Sequence, residues 1–498
     1  MSPRRSGILL HPSSLPGRFG IGDLGPQAIA WVEHLADMAQ GWWQVLPLTP
    51  TSVGDSPYFS PSAFAGNPYL ISPVALHEAG WLDEVDLDAA PEFPRHRVDY
   101  GAVGPWKRMI LATAFRNYEE RASFEEKARF DAFLDEERHW LDDYGLFMAI
   151  KEEQGGLPWI DWPMELARRE AQALEAARER LASRIRLHQF GQYQFFGQWQ
   201  GLKAYANSRN VRLIGDAPIF VAHDSADVWA HPELWRLDSK GHPLVVAGVP
   251  PDYFSATGQL WGNPHYDWAA MAGTGYAWWA ARLRSLLRLV DLIRLDHFRG
   301  FAGFWEIPAL EPTAVNGRWV PGPGAALFEA LADQLGELPL IAEDLGVITP
   351  DVVELRDRFG LPGMKILQFA FDAAEENNYF PHLFERNCAV YPGTHDNDTS
   401  KGWYEKAKPE DKALMAEYLG KDRITEPHWE LIRLGHASVA DLSVVPLQDL
   451  LGLGSEARMN TPGTMGGNWA WRFEEGGLTP EIKARFDRMT RLYDREPL

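Results

Sequence analysis

Eight short apolar runs, each closed by a polar or Gly/Pro-containing segment, constrain this chain more than any other feature. They are GILL (7–10), WQVL (43–46), VRLIG (211–215), VDLIRL (290–295), LPLIA (338–342), MKILQF (364–369), AVY (389–391) and LSVV (442–445). The segments that close them are HPSS, PLTP, DAP, DHFRG, EDLG, AFD, GTHDND and PLQD. Several runs are followed by helical patterns. Strands alternating with helices predict parallel βα units, and eight of them predict a closed (β/α)8 TIM barrel of the α/β class. An open doubly wound sheet is the rival, but no Gly-rich phosphate turn follows the first strand.

The spacing of the runs is uneven and predicts two large insertions, after strands 2 and 3. Residues 1–54 carry strands 1 and 2. Residues 55–207 form a mostly helical insertion, rich in Glu, Lys, Arg and Ala from 118 onward, with a capping box at Ser123–Glu126. Residues 208–221 hold strand 3. Residues 222–275 form an insertion rich in Pro, Gly and aromatics, expected to carry an active-site loop. Residues 276–498 hold strands 4–8 and C-terminal helices. The stretch after strand 8 is too short for another sizeable domain, and no internal repeat is present.

Composition narrows the function. Apolar residues make up 45% and charged residues 23%, as in a soluble globular protein. With 48 basic and 69 acidic side chains the formal net charge is −21, which argues against nucleic acid or anionic membrane as a main partner. No apolar run approaches the ~20 residues of a membrane span. Cys388 is the only cysteine, and no signal-peptide pattern opens the sequence, so a cytoplasmic location is expected. The Asn397-Asp398-Thr399 sequon is then a chance match. The 21 tryptophans suit stacking on a flat ligand face as well as core packing.

Charged residues cluster at strand ends. Residues two apart on a strand share a face, so Arg294 and Asp296 in "LIRLDHFRGF" both point into the barrel at its C-terminal end, where barrel active sites lie. The pair is either a buried structural ion pair or a carboxylate held ionised by a guanidinium. Asp216 follows strand 3, Glu343 and Asp344 follow strand 5, and Asp396 follows strand 7 beside His395. Any one of them alone reads as a helix cap or a loop salt bridge. Together they supply the carboxyl pair of glycosidic chemistry. A carboxylate-bound divalent cation is the alternative, although no metal-binding His/Cys spacing and no phosphate loop occur.

"IRLDHFRGF", "IAEDLG" and "GTHDNDT" resemble three short regions of the α-amylase clan. "LIGDAPIFVA" resembles a fourth, but lacks the Asn-His pair most amylases carry after the aspartate. That departure, with "LLHPSSLPGRFGIGDLG", "GDSPYFSPSAFAGNPYL", "VVAGVPPDYFSATGQLWGNPHYDW", "LPGMKILQFAFD" and "GSEARMNTPG", resembles the 4-α-glucanotransferase (amylomaltase) branch over almost the whole chain. The resemblance implies no C-terminal β-domain, no cofactor, no metal and no obligate protein partner. It implies α-1,4-glucans and maltooligosaccharides as ligands. It makes Asp296 the nucleophile, Glu343 the general acid/base and Asp396 the transition-state stabiliser. Arg294, His395, Asp216, Tyr58, Asp252, Tyr253, Phe254, Gln259, Trp261 and Asn460 would bind or orient the sugar; His297 is left unassigned.

The implied reaction is retaining transfer of α-1,4-glucan segments to a 4-hydroxyl of another glucan or glucose, with cyclisation among its outcomes. A hydrolase with the same residues is the main alternative, and a noncatalytic glucan-binding protein a third. Aromatic rings at Tyr58, Tyr253, Phe254 and Trp261 favour transfer, since rings hold an acceptor sugar at water's expense. The stretch 248–263 is expected to form a lid over the acceptor side.

Overall fold

The protein is described by a computed structural model over residues 4–251, 255–373, 379–464 and 466–497. The eight expected strands are all present: β1 (Arg5–Leu9), β2 (Trp42–Gln44), β3 (Arg212–Ala217), β4 (Leu292–Leu295), β5 (Leu340–Ala342), β6 (Gly363–Ile366), β7 (Cys388–Tyr391) and β8 (Leu442–Pro446). They pair in parallel in the order β6-β7-β8-β1-β2-β3-β4-β5. Only the β5–β6 seam lacks a ladder. There the Ala342 N–H donates to the Pro362 carbonyl at 2.9 Å, and the Met364 N–H donates to Asp344 Oδ1 at 2.7 Å. Arg356 holds the other Asp344 oxygen at 2.6 Å. Asp344, one of the strand-end acids, thus fastens the barrel shut. A side chain at Gly363 would strike it, since an added Cβ would lie 2.5 Å from Asp344 Oδ2.

The strands read as near-continuous apolar runs because both faces are buried. Leu9, Ile214, Ile341, Met364, Ile366, Ala389, Tyr391, Leu442 and Val444 fill the lumen. The alternate residues Ile8, Trp43, Leu213, Ile293, Leu295 and Val445 belong to the large core outside it. On this alternation Asp216 and Arg294 are lumen residues. The run at 364–369 does not stay extended: β6 ends at Ile366, and Leu367–Phe371 turns into a 3-10 helix.

Three long helices, Tyr100–Arg121, Phe124–Glu153 and Ala171–Ser208, dominate the stretch between β2 and β3. The capping box is formed: the Glu126 N–H donates to Ser123 Oγ at 3.2 Å, and the Ser123 N–H donates to Glu126 Oε2 at 2.7 Å. Helix Ala171–Ser208 also reaches the barrel wall. Its Trp199 indole donates to the Leu289 carbonyl at 2.7 Å and lies 6.4 Å from the Trp43 ring.

After β3 the chain enters an antiparallel sheet that the strand count did not anticipate. Its order is Gln259–Pro264, Val245–Val249, Gly303–Pro308, Arg318–Pro321. Its last two strands come from the chain after β4, so the loop regions behind β3 and β4 build one layer. Glu306, 2% exposed, anchors it by ion pairs to Arg236 and Arg318. Among the described residues no helix is long and apolar enough to cross a membrane.

Candidate active site

The centre of the site is Arg294. On β4 it lies opposite Asp216 of β3 in the parallel register, and its Nη1 meets both Asp216 oxygens at 2.9 and 2.7 Å. Its Nη2 meets Asp296 Oδ1 at 2.8 Å. One planar guanidinium therefore bridges two carboxylates, a geometry lysine could not reproduce. Burial opposes the charge on Arg294, yet Asp216 and Asp296 hold its pKa well above the ordinary value. Arg294 is thus ion-paired to Asp216 as well as to Asp296.

Asp216 is closed off from solvent. Its side chain is 0% exposed, and the Tyr58 hydroxyl donates to its Oδ2 at 2.7 Å. Burial, with the Asp296 charge adding to it, raises the pKa of this carboxyl, and Arg294 opposes the rise. The Arg294 guanidinium on both oxygens and the Tyr58 hydroxyl favour the ionised form. The partners of Asp216 in the structure are Arg294 and Tyr58.

Tyr58 passes the support across the mouth. Its hydroxyl hydrogen goes to Asp216, so His395 Nε2, 2.9 Å away, must be the donor in that contact. The Tyr58 and His395 rings stack at 5.3 Å and 19°, and Trp469 lies 5.5 Å from Tyr58. One face of Tyr58 is therefore already covered by protein.

Asp396 follows β7, with a side chain 43% exposed. His395 Nε2 lies 3.3 Å from its Oδ2, and the Asn460 amide donates to its Oδ1 at 2.6 Å. Burial works against ionisation, but the neighbouring His395 charge and the Asn460 hydrogen bond hold the carboxyl well below the usual carboxylate range. His395 is correspondingly raised: burial opposes its charge, and Asp396 outweighs the burial. Asn460, expected to contact sugar, contacts a carboxylate.

Glu343 sits at the end of β5 in the opposite state. Burial is the largest cause that pushes its pKa up to about 8, with the Asp296 charge adding to it and Arg294 opposing. The His297 N–H donates to Glu343 Oε2 at 2.7 Å and the Leu345 N–H to Oε1 at 3.0 Å. His297 can aim its N–H this way because its backbone is left-handed, with φ of 51°. Its ring meets Trp261 edge-on at 4.8 Å and 84°. Burial lowers the His297 pKa to about 4, so the ring is neutral at neutral pH.

Trp261 and Gln259 lie on the first strand of the small sheet, the indole N–H donating to Gln259 Oε1 at 3.1 Å. Asp252, Tyr253 and Phe254 lie outside the described residues. Among the described residues no group of three or more His, Cys, Asp or Glu is arranged to hold a metal ion.

Residues 10–479 match the family described as 4-alpha-glucanotransferase. The chain belongs to the 4-alpha-glucanotransferase family. It is 54% identical over 500 residues to the 4-alpha-glucanotransferase of Thermus thermophilus, covering 99% of both chains. It is 49% identical over 498 residues to that of Synechocystis sp., again covering 99% of both. Its fold superposes on an amylomaltase from Streptococcus agalactiae in complex with acarbose, with a TM-score of 0.96 at 40% identity, over 99% of this chain and 100% of that one. An amylomaltase from Corynebacterium glutamicum shares the fold at a TM-score of 0.79 and 20% identity, over 98% of this chain and 75% of that one. The enzyme is thus a transferase of the 4-alpha-glucanotransferase type, and the hydrolase alternative is not favoured.

Proposed function

We propose that the enzyme transfers α-1,4-glucan segments by retaining double displacement, with Asp296 as nucleophile, Glu343 as acid/base and Asp396 as stabiliser. The observation that carries this reading is the contrast around Arg294. Asp296 is ion-paired to it at 2.8 Å, whereas Glu343 keeps its proton to about pH 8. An enzyme that must attack with one carboxylate and protonate with another needs this division.

In the first step one Asp296 oxygen bonds to the anomeric carbon, while Arg294 retains the other oxygen. The Glu343 proton passes to the glycosidic oxygen, the C1–O bond breaks and the shortened chain leaves. In the second step Glu343, now a carboxylate, takes the proton of an acceptor 4-hydroxyl. That oxygen bonds to C1 and the ester to Asp296 breaks. Two inversions return the α configuration.

Asp396 enters ionised, and stabilises positive charge on the flattened ring and grips its hydroxyls. Trp261, held by Gln259 and His297, offers an indole for an adjacent sugar. Asp216, Tyr58 and Asn460 act through the charged groups they hold.

Maltotriose as sole substrate tests the activity. Transfer gives glucose together with oligomers longer than the input, whereas water as acceptor gives shorter sugars alone. A fluorinated glucosyl donor tests the nucleophile: mass spectrometry should find the adduct on the peptide containing Asp296. Label on Glu343 or Asp396 would overturn the assignment.

A further inference from the structure

We infer that Arg458 is a positioning residue for Asp396: it touches no substrate, and staples the segment after β8 onto the loop after β7. Asp396 and Asn460 stand 64 positions apart in sequence and meet only because two loops are held in register. Arg458 spans both. Its Nη2 donates to the Asp396 carbonyl at 2.5 Å and its Nε to the Asn460 carbonyl at 2.7 Å. The Asn460 N–H donates to the His395 carbonyl at 3.1 Å. The same segment is tied once more upstream, where Ser455 Oγ donates to Asp398 Oδ2 at 2.8 Å, an oxygen that Lys406 also holds at 2.7 Å.

The kind of partner decides what Arg458 does. Among the described residues its hydrogen-bond partners are backbone carbonyls rather than carboxylates. It therefore neutralises no acid by contact, and its fork fixes the separation of two chain segments. Arg458 also lines a cavity with His11, Thr394, Asp398 and Asp449, at the C-terminal ends of β1, β7 and β8. Its backbone bonds fix where Asn460 presents its amide, and the amide sets the orientation of the Asp396 carboxylate. Misplacement of a group by about 1 Å costs roughly 10²-fold in rate even when its chemistry is intact.

This inference rests on Asp396 acting in the reaction, so the experiment separates the two. Asp396→Asn, Arg458→Ala, Arg458→Lys, Asn460→Ala and the double variant Arg458→Ala/Asn460→Ala are assayed for kcat and KM with maltotriose, and for thermal midpoint. Arg458→Ala should lower kcat by roughly 10²-fold with KM and midpoint little changed. Arg458→Lys should recover part of the loss, and the double variant should be no slower than Asn460→Ala. Multiplying losses in the double variant would overturn the inference, as would a rise in KM alone or a kcat loss that follows the thermal midpoint. If Asp396→Asn is inactive while Arg458→Ala is fully active, the inference fails and the Asp396 reading stands. If Asp396→Asn retains full kcat, the Asp396 reading itself fails. Should Arg458→Ala not fold, Arg458→Gln keeps a donor there and is held to the same kcat-without-KM pattern.

Discussion

On the β4–β5 side of the barrel mouth Glu343 is held by adjacent backbone. The Phe298 N–H donates to the Glu343 carbonyl and the Glu343 N–H to the Leu295 carbonyl, each at 3.0 Å. The His297 and Leu345 N–H groups take the carboxyl oxygens. On the β7 side Asp396 is held by side chains, among them Asn460 from far along the chain. The outcomes are opposite: burial dominates at Glu343 and raises it to about 8, while partners dominate at Asp396 and lower it. A barrel mouth can therefore hold a protonated and an ionised carboxyl together, provided that their donors differ in kind. Backbone N–H groups carry no charge and only partly offset desolvation. A histidine whose pKa is itself raised more than offsets it.

The largest effect should come from Glu343→Gln, which keeps the side-chain shape and one oxygen to accept a backbone N–H, but cannot donate a proton as an acid. Transfer should fall by roughly 10²–10⁴-fold. The wild-type rate should decline above about pH 8, as Glu343 loses its proton, and that limb should be missing from the residual activity of the variant. A limb that persists unchanged in the rate profile would assign it to another group.

Much of this arrangement is legible in the sequence, for a physical reason. Strands buried on both faces need continuous apolar runs, so "LIRL" and "LIA" stand out, and a charge within such a run is conspicuous. Less legible is what depends on register. Nothing local says that Asp216 sits opposite Arg294, or that Asp396 is met by Asn460. The left-handed backbone of His297 is equally hidden, because this conformation usually announces itself as Gly or Asn. The two strands after β4 escape the strand count although "GFWEIP" and "GRWVP" alternate and are separated by turn residues. A barrel pattern assigns that stretch wholesale to its own strands and helices, and so hides a second sheet.

The next effect in size concerns the ion pairs that join β3 to β4. Arg294→Met would leave Asp216, with its fully buried side chain, facing no cation. Removing one partner of such a pair costs about 3–5 kcal/mol. Urea unfolding should show a loss of that order, partly recovered in Arg294→Met/Asp216→Asn, where the stranded charge is gone. Equal stability of the single and double variants would mean that Asp216 is not charged in the fold. Tyr58→Phe should cost less, about 1–3 kcal/mol, because it removes one hydrogen bond to Asp216 and leaves Arg294 in place. A loss as large as that of Arg294→Met would show that the phenol, not the guanidinium, stabilises the buried carboxylate.

The smallest effect per unit change is the pH dependence of stability that Glu343 should impose, and its sign comes from linkage. Below its ordinary value of 4.5 the group is protonated in both folded and unfolded chains and makes no difference between pH values. Between 4.5 and about 8 the unfolded chain releases the proton while the folded chain keeps it. The folded state then binds more protons, and stability falls as pH rises, by up to about 1.4 kcal/mol per pH unit. Above about 8 both forms are ionised and the loss is complete. Other groups titrate over the same range, so the useful quantity is the difference between wild type and Glu343→Gln, in which their contributions cancel. Plotted against pH, the stability of the variant relative to wild type should be flat below 4.5, climb through neutrality and level off above about 8. The matching pair for the β7 side, wild type against Asp396→Asn, should slope the other way and at lower pH, because its carboxyl is depressed in the fold. A flat difference curve for Glu343 would mean that its backbone donors hold the carboxylate as well as water does. The contrast between the two sides of the mouth would then rest on Asp396 alone.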